Sequence, residues 1–383
     1  MSTKRFLAAY LLSFLIIVLD TTLLYAQTVV RCPETEQLLK ERWKWAIKEN
    51  EHQGWNQSYW IGYSFVKPMS QNSFIGSFYS ERRKNKPSLC EMLSLEPCVS
   101  EQRIKGSTHY LTMNDDFTIV DDGISDDREI PKEIAVLFEV PKNPTLKEPF
   151  RSIIVSNLSL HVDLKDEPVL WLGEADDSES VTFLQSMYDK QQSDKIQQKI
   201  ITAIGLHKPS VVIVSFLSNI LKDAERTEVR KEAAFWLSQT KADKALEVLL
   251  HSAEYDQSEE VREQAIFAIS ELGNDRAIDA LISLAKKGRD KNVRGKAMFW
   301  LGQQASKKSV EALDDIVNED GNDDVQKSAI FALTQLPDNR GVELLIKIAK
   351  THQNPQVRKE AIFWLGQSED ERALNSLIEI VQK

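Results

Sequence analysis

The stretch Val229-Arg230-Lys231-Glu232-Ala233-Ala234-Phe235-Trp236-Leu237 recurs along the second half of the chain in closely similar copies. Its Val-Arg pair returns every 32 residues, at Val261, Val293, Val325 and Val357, with glutamine replacing arginine in the fourth copy. A row of leucines keeps the same interval: Leu249, Leu281, Leu313, Leu345 and Leu377. Two rows with one shared period indicate a stack of similar helical units, each of which contacts only its neighbours.

Each unit is predicted to contain two helices. The first has apolar residues at helical spacing, as in Ala277, Ile278, Leu281, Ile282 and Leu284, and the second begins at the Val-Arg pair. A polar capping residue precedes the second helix of each unit: Ser193, Thr227, Ser258, Asp290, Asn322 and Asn354. We therefore predict a solenoid over residues 178–383, with six helix pairs and a final single helix, Glu371–Gln382.

The sequence of L-x-x-L in one helix and V-R-x-x-A in the next resembles HEAT repeats, and the short period is similar to the HEAT-like repeats of phycobilisome lyases. The resemblance implies an all-α, right-handed, armadillo-like solenoid (an α-α superhelix) that binds other proteins. The lyase branch implies bilin chemistry, but no residue outside the repeat supports it, so no cofactor is predicted. In the family, the arginine and an aspartate six residues before it form a structural ladder. Only Asp256 precedes an arginine at that spacing here, so the arginines are predicted to be structural in a partial ladder.

A helical wheel separates the second helices into two faces, with valine as position 1 and 100° per residue. Positions 1, 5, 6, 8 and 9 form the predicted core face. Position 8 alternates between large and small residues: Trp236, Ala268, Trp300, Ala332 and Trp364. Such alternation is typical of interdigitated layers, so the tryptophans are interpreted as packing residues.

A row of phenylalanines at position 7 lies almost opposite this core face, beside a largely glutamine row at position 11. The HEAT resemblance places the second helices on the inner, concave wall, where five exposed rings would form an unusually large apolar stripe. The partner-binding hypothesis names Phe235, Phe267, Phe299, Phe331, Phe363, Gln239, Gln303, Gln335 and Gln367. Two interpretations stay open: a groove for a helix or extended segment of a protein partner, or sideways packing of each ring on the next unit. For the glutamines, the alternative is local chemistry at the helix C-termini.

Residues 28–172 have a different composition and predict an α+β or β-rich N-terminal domain. Pro33–Asn50 reads as an amphipathic helix. Runs of aromatic and β-branched residues predict strands at Ser58–Val66, Ser73–Tyr79, Glu133–Val140, Ser152–Val162 and Pro168–Leu172.

Residues 1–26 are typical of a signal peptide, because Lys4 and Arg5 precede the apolar run Phe6–Leu19 and a cleavage site at Ala26. We expect an exported, periplasmic or extracellular protein without a membrane span after cleavage. Export permits a disulfide; Cys90–Cys98 is the natural pair, although three cysteines with Cys32 allow three pairings. The formal net charge of −10 argues against nucleic acid as a partner.

The sequence contains no recognisable catalytic or metal-binding motif, so no catalytic residue and no metal site is predicted. The favoured function is a non-catalytic scaffold of the cell envelope that binds a protein partner along the solenoid. A regulatory protein that sequesters a signalling partner is an alternative. A further one is an enzyme sited in the N-terminal domain, for which the solenoid recruits substrate. Partner identity and oligomeric state do not follow from the sequence.

Overall fold

The computed structural model describes residues 28–33, 38–70, 74–76, 87–95, 109–114, 117–121, 129–145, 149–160, 162–164, 167–304 and 306–382. The predicted signal peptide lies outside the described residues. The chain forms two compact units, of which the first ends at Lys208 and the second begins at Pro209. Within the described residues, no helix has the length and apolar character needed to cross a membrane.

The first unit is α+β, as predicted. Its strands are β1 Val29–Arg31, β2 Tyr59–Ser70, β3 Phe74–Gly76, β4 His109–Asn114, β5 Phe117–Asp121, β6 Glu129–Val140, β7 Ser152–Asn157 and β8 Val169–Glu174. Its helices are α1 Leu39–Gln53, α2 Leu89–Met92, α3 Asp177–Tyr188 and α4 Asp194–Gly205. The last two are the first helix pair of the predicted solenoid, and they group with the sheet rather than with the later helices.

Five strands form a mixed sheet in the order β1-β8-β2-β6-β7, and β3-β5-β4 form a smaller sheet. The long strands β2 and β6 pair antiparallel, whereas β8 runs parallel to both β1 and β2. Side chains of β2 alternate between the two faces of the sheet. Tyr63 and Phe65 contact the helices on one face, and Trp60 joins an apolar cluster with Leu137 and Trp171 on the other.

A buried hydrogen-bonded chain attaches α3 and the end of α4 to β2. His207 Nδ1 lies 2.8 Å from the carbonyl oxygen of Ala203, which can only accept, so this nitrogen carries the proton. Neutral Nε2 then accepts from the Ser180 hydroxyl at 2.8 Å, and Tyr63 donates to Ser180 at the same distance. Phe65 stacks on the imidazole with a centroid distance of 3.9 Å. Burial lowers the pKa of His207, which favours this neutral form.

Acid should weaken the first unit through this histidine. Burial lowers the pKa of His207 from 6.5 to about 4. Between pH ~6.5 and pH ~4, this histidine binds a proton in the unfolded chain but not in the folded unit. The stabilisation is thus complete above pH ~6.5 and falls by up to about 1.4 kcal/mol per pH unit as the pH drops through that window. Urea unfolding between pH 4 and 7.5 measures the slope.

The matched variants are His207→Gln and His52→Gln, because His52 is largely exposed. We expect the slope between pH 4 and 6.5 to diminish in His207→Gln and to persist in His52→Gln. An unchanged slope in His207→Gln would contradict the assignment of a buried neutral imidazole.

The second unit consists of paired helices, as the 32-residue period predicts. Its helices are α5 Val211–Asp223, α6 Thr227–Gln239, α7 Asp243–Tyr255, α8 Glu259–Leu272, α9 Asp275–Lys287, α10 Lys291–Gln304, α11 Lys307–Glu319, α12 Asp323–Thr334, α13 Val342–Thr351, α14 Pro355–Gly366 and α15 Glu371–Val381. The second helices of the units are α6, α8, α10, α12 and α14. The valine at position 1, the alanine at position 5 and the leucine or isoleucine at position 9 are buried in all five helices, which confirms the core face at these positions.

The capping prediction is confirmed for most second helices. Ser258, Asp290, Asn322 and Asn354 each accept a hydrogen bond from a backbone N–H of the first turn. It is wrong for Ser193, whose side chain makes no capping bond, and for Thr227, which is itself the first helical residue.

Candidate functional site

The repeat arginines bind the loops that join the first and second helices of their own unit and of the next unit. Arg230 forms a two-bond pair with Asp256, 2.9 Å for each bond, and also donates to the carbonyl oxygens of Ala224 and Glu225. Two units later, Arg294 pairs with Asp320 through Nη2 alone and donates through Nε to the carbonyl oxygen of Ala285. The aspartate therefore belongs to the unit after the arginine, and the prediction that only Asp256 serves the ladder is corrected by Asp320. These contacts give the arginines a structural role.

The rings at positions 7 and 8 form one continuous row on the second helices. Phe267 packs on Trp300 of the next unit at a centroid distance of 4.9 Å, and Phe331 packs on Trp364 at 5.2 Å. Within one helix, Phe299 lies 5.1 Å from Trp300, and Phe363 lies 5.1 Å from Trp364. Phe299 stacks on Phe331 at 6.4 Å and joins the two halves. We call these six side chains the aromatic ladder.

The exposure of the phenylalanines rises along the stack. Phe235 is only 6% exposed, Phe267 and Phe299 are half-buried, and Phe331 and Phe363 are 37% and 54% exposed. The expectation of an exposed row is thus wrong for Phe235, because its ring lies edge-on against Trp236 within the core. Each of the other four rings packs on a tryptophan and keeps part of its surface open to solvent, so the groove stays a prediction for them.

The tryptophans also become more exposed along the stack. Trp236 is buried and donates to the Glu232 carboxylate at 2.9 Å. Trp300 and Trp364 are half-buried, so position 8 belongs to the core only in part. Trp364 Nε1 donates to Glu360, one helical turn earlier. The Trp300 and Trp364 indoles pack against a phenylalanine of the preceding second helix and stay partly exposed to solvent.

The glutamines at position 11 also fall into two groups. Gln239 and Gln335 donate to the hydroxyls of Ser238 and Thr334, the preceding residues. Gln303 and Gln367 follow glycines and are exposed, and their side-chain amides make no hydrogen bond within the described part of the chain. Local helix-end chemistry therefore explains the first pair and leaves the second pair unexplained.

Two glycines of the ladder helices have opposite surroundings. A Cβ at Gly302 would lie 2.4 Å from the carbonyl oxygen of Ala332 on the next second helix, whereas a Cβ at Gly366 would meet no atom within 4 Å. We expect Gly302→Ala to lower the free energy of unfolding by about 1–3 kcal/mol through overpacking. Gly366→Ala should leave it unchanged or raise it by up to about 1 kcal/mol through helix propensity.

Thermal and urea unfolding of the two variants measure this difference directly. Both glycines stand in the same pentapeptide, so Gly366→Ala controls for local sequence. Equal effects of the two substitutions would mean that α10 and α12 do not pack as closely as the structure shows.

A second surface feature is an open pocket of about 650 Å³ between the first helices α5 and α7. Its walls include Tyr255, His251 and the Arg230–Asp256 pair. The lining carries three basic side chains, Lys222, Arg230 and Lys244, and three acidic ones, Glu225, Glu247 and Asp256. Because these charges balance, the pocket gives no preference for the charge of a ligand.

The first unit offers one arrangement that resembles a nucleophile and its base. The Ser180 hydroxyl donates to His207, but Tyr63, Ser180 and His207 are all buried, so a substrate has no path to the hydroxyl in this structure. Cys90 forms a disulfide, while Cys98 lies outside the described residues, so the Cys90–Cys98 pairing stays a prediction. In the ranges that the structure describes, no cluster of three or more His, Cys, Asp or Glu is placed to hold a metal ion.

The solved structures that the chain matches are proteins of different functions. The matched structures include human deoxyhypusine hydroxylase in complex with glycerol (20% identity, 52% of this chain, 77% of that chain, TM-score 0.24). They also include the CpcE–CpcF complex of phycocyanin lyase from Nostoc (24%, 42%, 100%, 0.31). A third is the karyopherin Kap121p bound to the SUMO protease Ulp1p (18%, 53%, 23%, 0.33). No curated protein sequence matches the chain significantly.

The family comparison is specific to the repeat region. A family model for HEAT repeats matches residues 214–302 and 310–383, the part of the chain that holds the aromatic ladder and the Arg–Asp pairs. Residues 214–302 and 310–383 therefore consist of HEAT repeats.

Proposed function

We propose that the chain is a non-catalytic interaction protein that binds a segment of a protein partner on the aromatic ladder. The observation that carries this proposal is the exposure of Phe331 and Phe363 beside the half-buried Trp300 and Trp364. Aromatic side chains are the residues that most often anchor protein interfaces, and four of them adjoin here on rigid helices. The predicted signal peptide of residues 1–26 supports a place in the cell envelope for this interaction.

The charges around the ladder support a protein partner rather than a nucleic acid. Lys327 and Lys359 precede Phe331 and Phe363 by one helical turn and have no acidic partner among the described residues. Two isolated lysines are far fewer than the phosphate contacts that nucleic-acid affinity requires, and the chain as a whole is acidic. These lysines could instead form ion pairs with carboxylates that lie beside an apolar side chain of a bound peptide segment.

The test compares two double variants that make the same apolar-to-polar change on different faces. Phe331→Ser/Phe363→Ser alters the ladder. Leu374→Ser/Ile378→Ser alters two residues of α15 that are 61% and 47% exposed and lie outside the ladder. All four side chains are substantially exposed, so we expect both variants to fold with unchanged helicity.

Capture from an envelope extract, quantified by mass spectrometry, then reports binding. A protein retained by the wild type and by the α15 variant, but lost by at least tenfold from the ladder variant, is the expected result, since hot-spot aromatics each contribute about 2 kcal/mol or more. Equal retention by the ladder variant would remove the ladder as the binding surface. Loss from the α15 variant alone would move the site to the end of the stack.

A further inference from the structure

The same surface occurs twice in the second unit. Phe299–Gln303 and Phe363–Gln367 have the identical sequence Phe-Trp-Leu-Gly-Gln and lie two units apart. In both copies the phenyl ring stands edge-on against the indole at 5.1 Å and 79°. We call each copy a station. The unit between them contributes Phe331, whose ring contacts Phe299 of the first station and Trp364 of the second.

Each station also presents an unused amide. Gln303 and Gln367 are exposed and make no side-chain hydrogen bond in the described structure, because the preceding residue is glycine and offers no hydroxyl. At the corresponding positions, the side-chain amides of Gln239 and Gln335 donate hydrogen bonds to the hydroxyls of Ser238 and Thr334. A primary amide has two donors and an acceptor oxygen, so each station combines an aromatic pair with one complete hydrogen-bonding group.

This combination matches the main chain of an extended peptide better than a helix. A residue of an extended segment offers its own N–H and C=O, whereas those groups are already paired within an α-helix. A glutamine amide beside an aromatic pair bonds such a free main-chain group while the rings take the neighbouring side chain. A helical partner would leave both glutamine amides without main-chain partners.

The ring distances limit the separation of the two anchors. The centroids lie 6.4 Å apart from Phe299 to Phe331, 5.2 Å from Phe331 to Trp364 and 5.1 Å from Trp364 to Phe363, so equivalent rings of the two stations are at most about 17 Å apart. An extended chain covers this distance in about five residues at ~3.3 Å each. Side chains on one side of an extended chain recur every second residue, so the longest same-side separation that fits is four residues.

We propose that the aromatic ladder binds an extended peptide segment that carries two large apolar side chains four residues apart, one at each station, with Gln303 and Gln367 bonded to its main chain. This inference rests on the proposed function and adds the conformation and spacing of the partner segment.

The test is a selection from a random 16-residue peptide library, displayed on phage, against the full chain. Enriched peptides should share two large apolar residues four positions apart, without further apolar residues at the three- and seven-residue spacing of a helix. Gln303→Ala/Gln367→Ala should lower the affinity of the best peptide by roughly tenfold, the loss expected for two hydrogen-bonding groups. Gln239→Ala/Gln335→Ala is the matched control and should leave that affinity unchanged.

The outcomes separate this inference from the proposed function. Peptides that require Phe331 and Phe363 but repeat their anchors at three and seven residues would show a helical partner and overturn only the inference. An affinity that falls equally in both glutamine variants, or in neither, would also overturn it. Failure of any peptide to depend on Phe331 and Phe363 would instead reject the ladder as the binding face.

Discussion

Replacing Arg230 by methionine should cost the second unit about 3–5 kcal/mol, the usual loss when one partner of a buried ion pair is removed. The Arg230 and Asp256 side chains are only 11% and 9% exposed. The substitution leaves the Asp256 carboxylate without its cation and two loop carbonyl oxygens without a donor. Urea unfolding followed by far-UV circular dichroism measures the loss.

Arg262 supplies the control for this prediction. It occupies the same repeat position and donates to the carbonyl oxygens of Asp256 and Gln257, and no aspartate stands 26 residues after it. Arg262→Met should therefore cost clearly less, about 1–3 kcal/mol. If both methionine variants lose the same stability, the arginines act only through the loop carbonyls and the Arg–Asp pair contributes nothing.

Replacing Arg42 by methionine should have a comparable effect on the first unit, again about 3–5 kcal/mol. Its buried guanidinium donates to the carbonyl oxygens of Leu172 and Glu174, at 2.7 and 2.8 Å, and to the Glu179 carboxylate at 3.0 Å. The other Glu179 oxygen accepts from the Leu39 backbone N–H at the start of α1. One side chain thus connects α1, the end of β8 and α3.

The electrostatics of Glu179 provide a check on this mechanism. Burial raises the pKa of Glu179 in spite of the adjacent Arg42, so the carboxylate depends strongly on its cation. Arg42→Met/Glu179→Gln should recover part of the stability lost in Arg42→Met, because no buried charge remains unpaired. Lys44→Met removes an exposed pair with Glu41 and should change stability by less than about 1 kcal/mol. A double variant no more stable than Arg42→Met would contradict the mechanism.

The repeat architecture follows from sequence because its contacts are local. The Val-Arg rows predict where α8, α10, α12 and α14 begin, and the helix predicted at the end of the stack appears as Glu371–Val381. The solvent exposure of the individual ladder residues could not be predicted from the sequence. A helical wheel describes one helix alone, whereas Phe235 is buried by its neighbours and Phe363 is not.

In the first unit, the sequence predicts most of the strands but not how they pair. Aromatic and β-branched runs predict five of its strands, but β1, β4 and β5 were missed, and no pattern within a strand names its partner. Val29 pairs with Val169 across 140 residues of chain. The pairing of Arg230 with Asp256 and of Arg294 with Asp320 could not be predicted for a related reason, because each aspartate lies in the unit after its arginine.

The most direct measurement of the binding surface is ¹⁹F NMR of the chain labelled with 5-fluorotryptophan, titrated with the best peptide from the library. Trp300 and Trp364 have half-buried indoles at the two stations, while Trp236 is buried on α6 and serves as the internal reference. We expect the resonances of Trp300 and Trp364 to shift together on binding and the resonance of Trp236 to stay unchanged. Saturable binding that leaves Trp300 and Trp364 unmoved, or that shifts only tryptophans of the first unit, would contradict it.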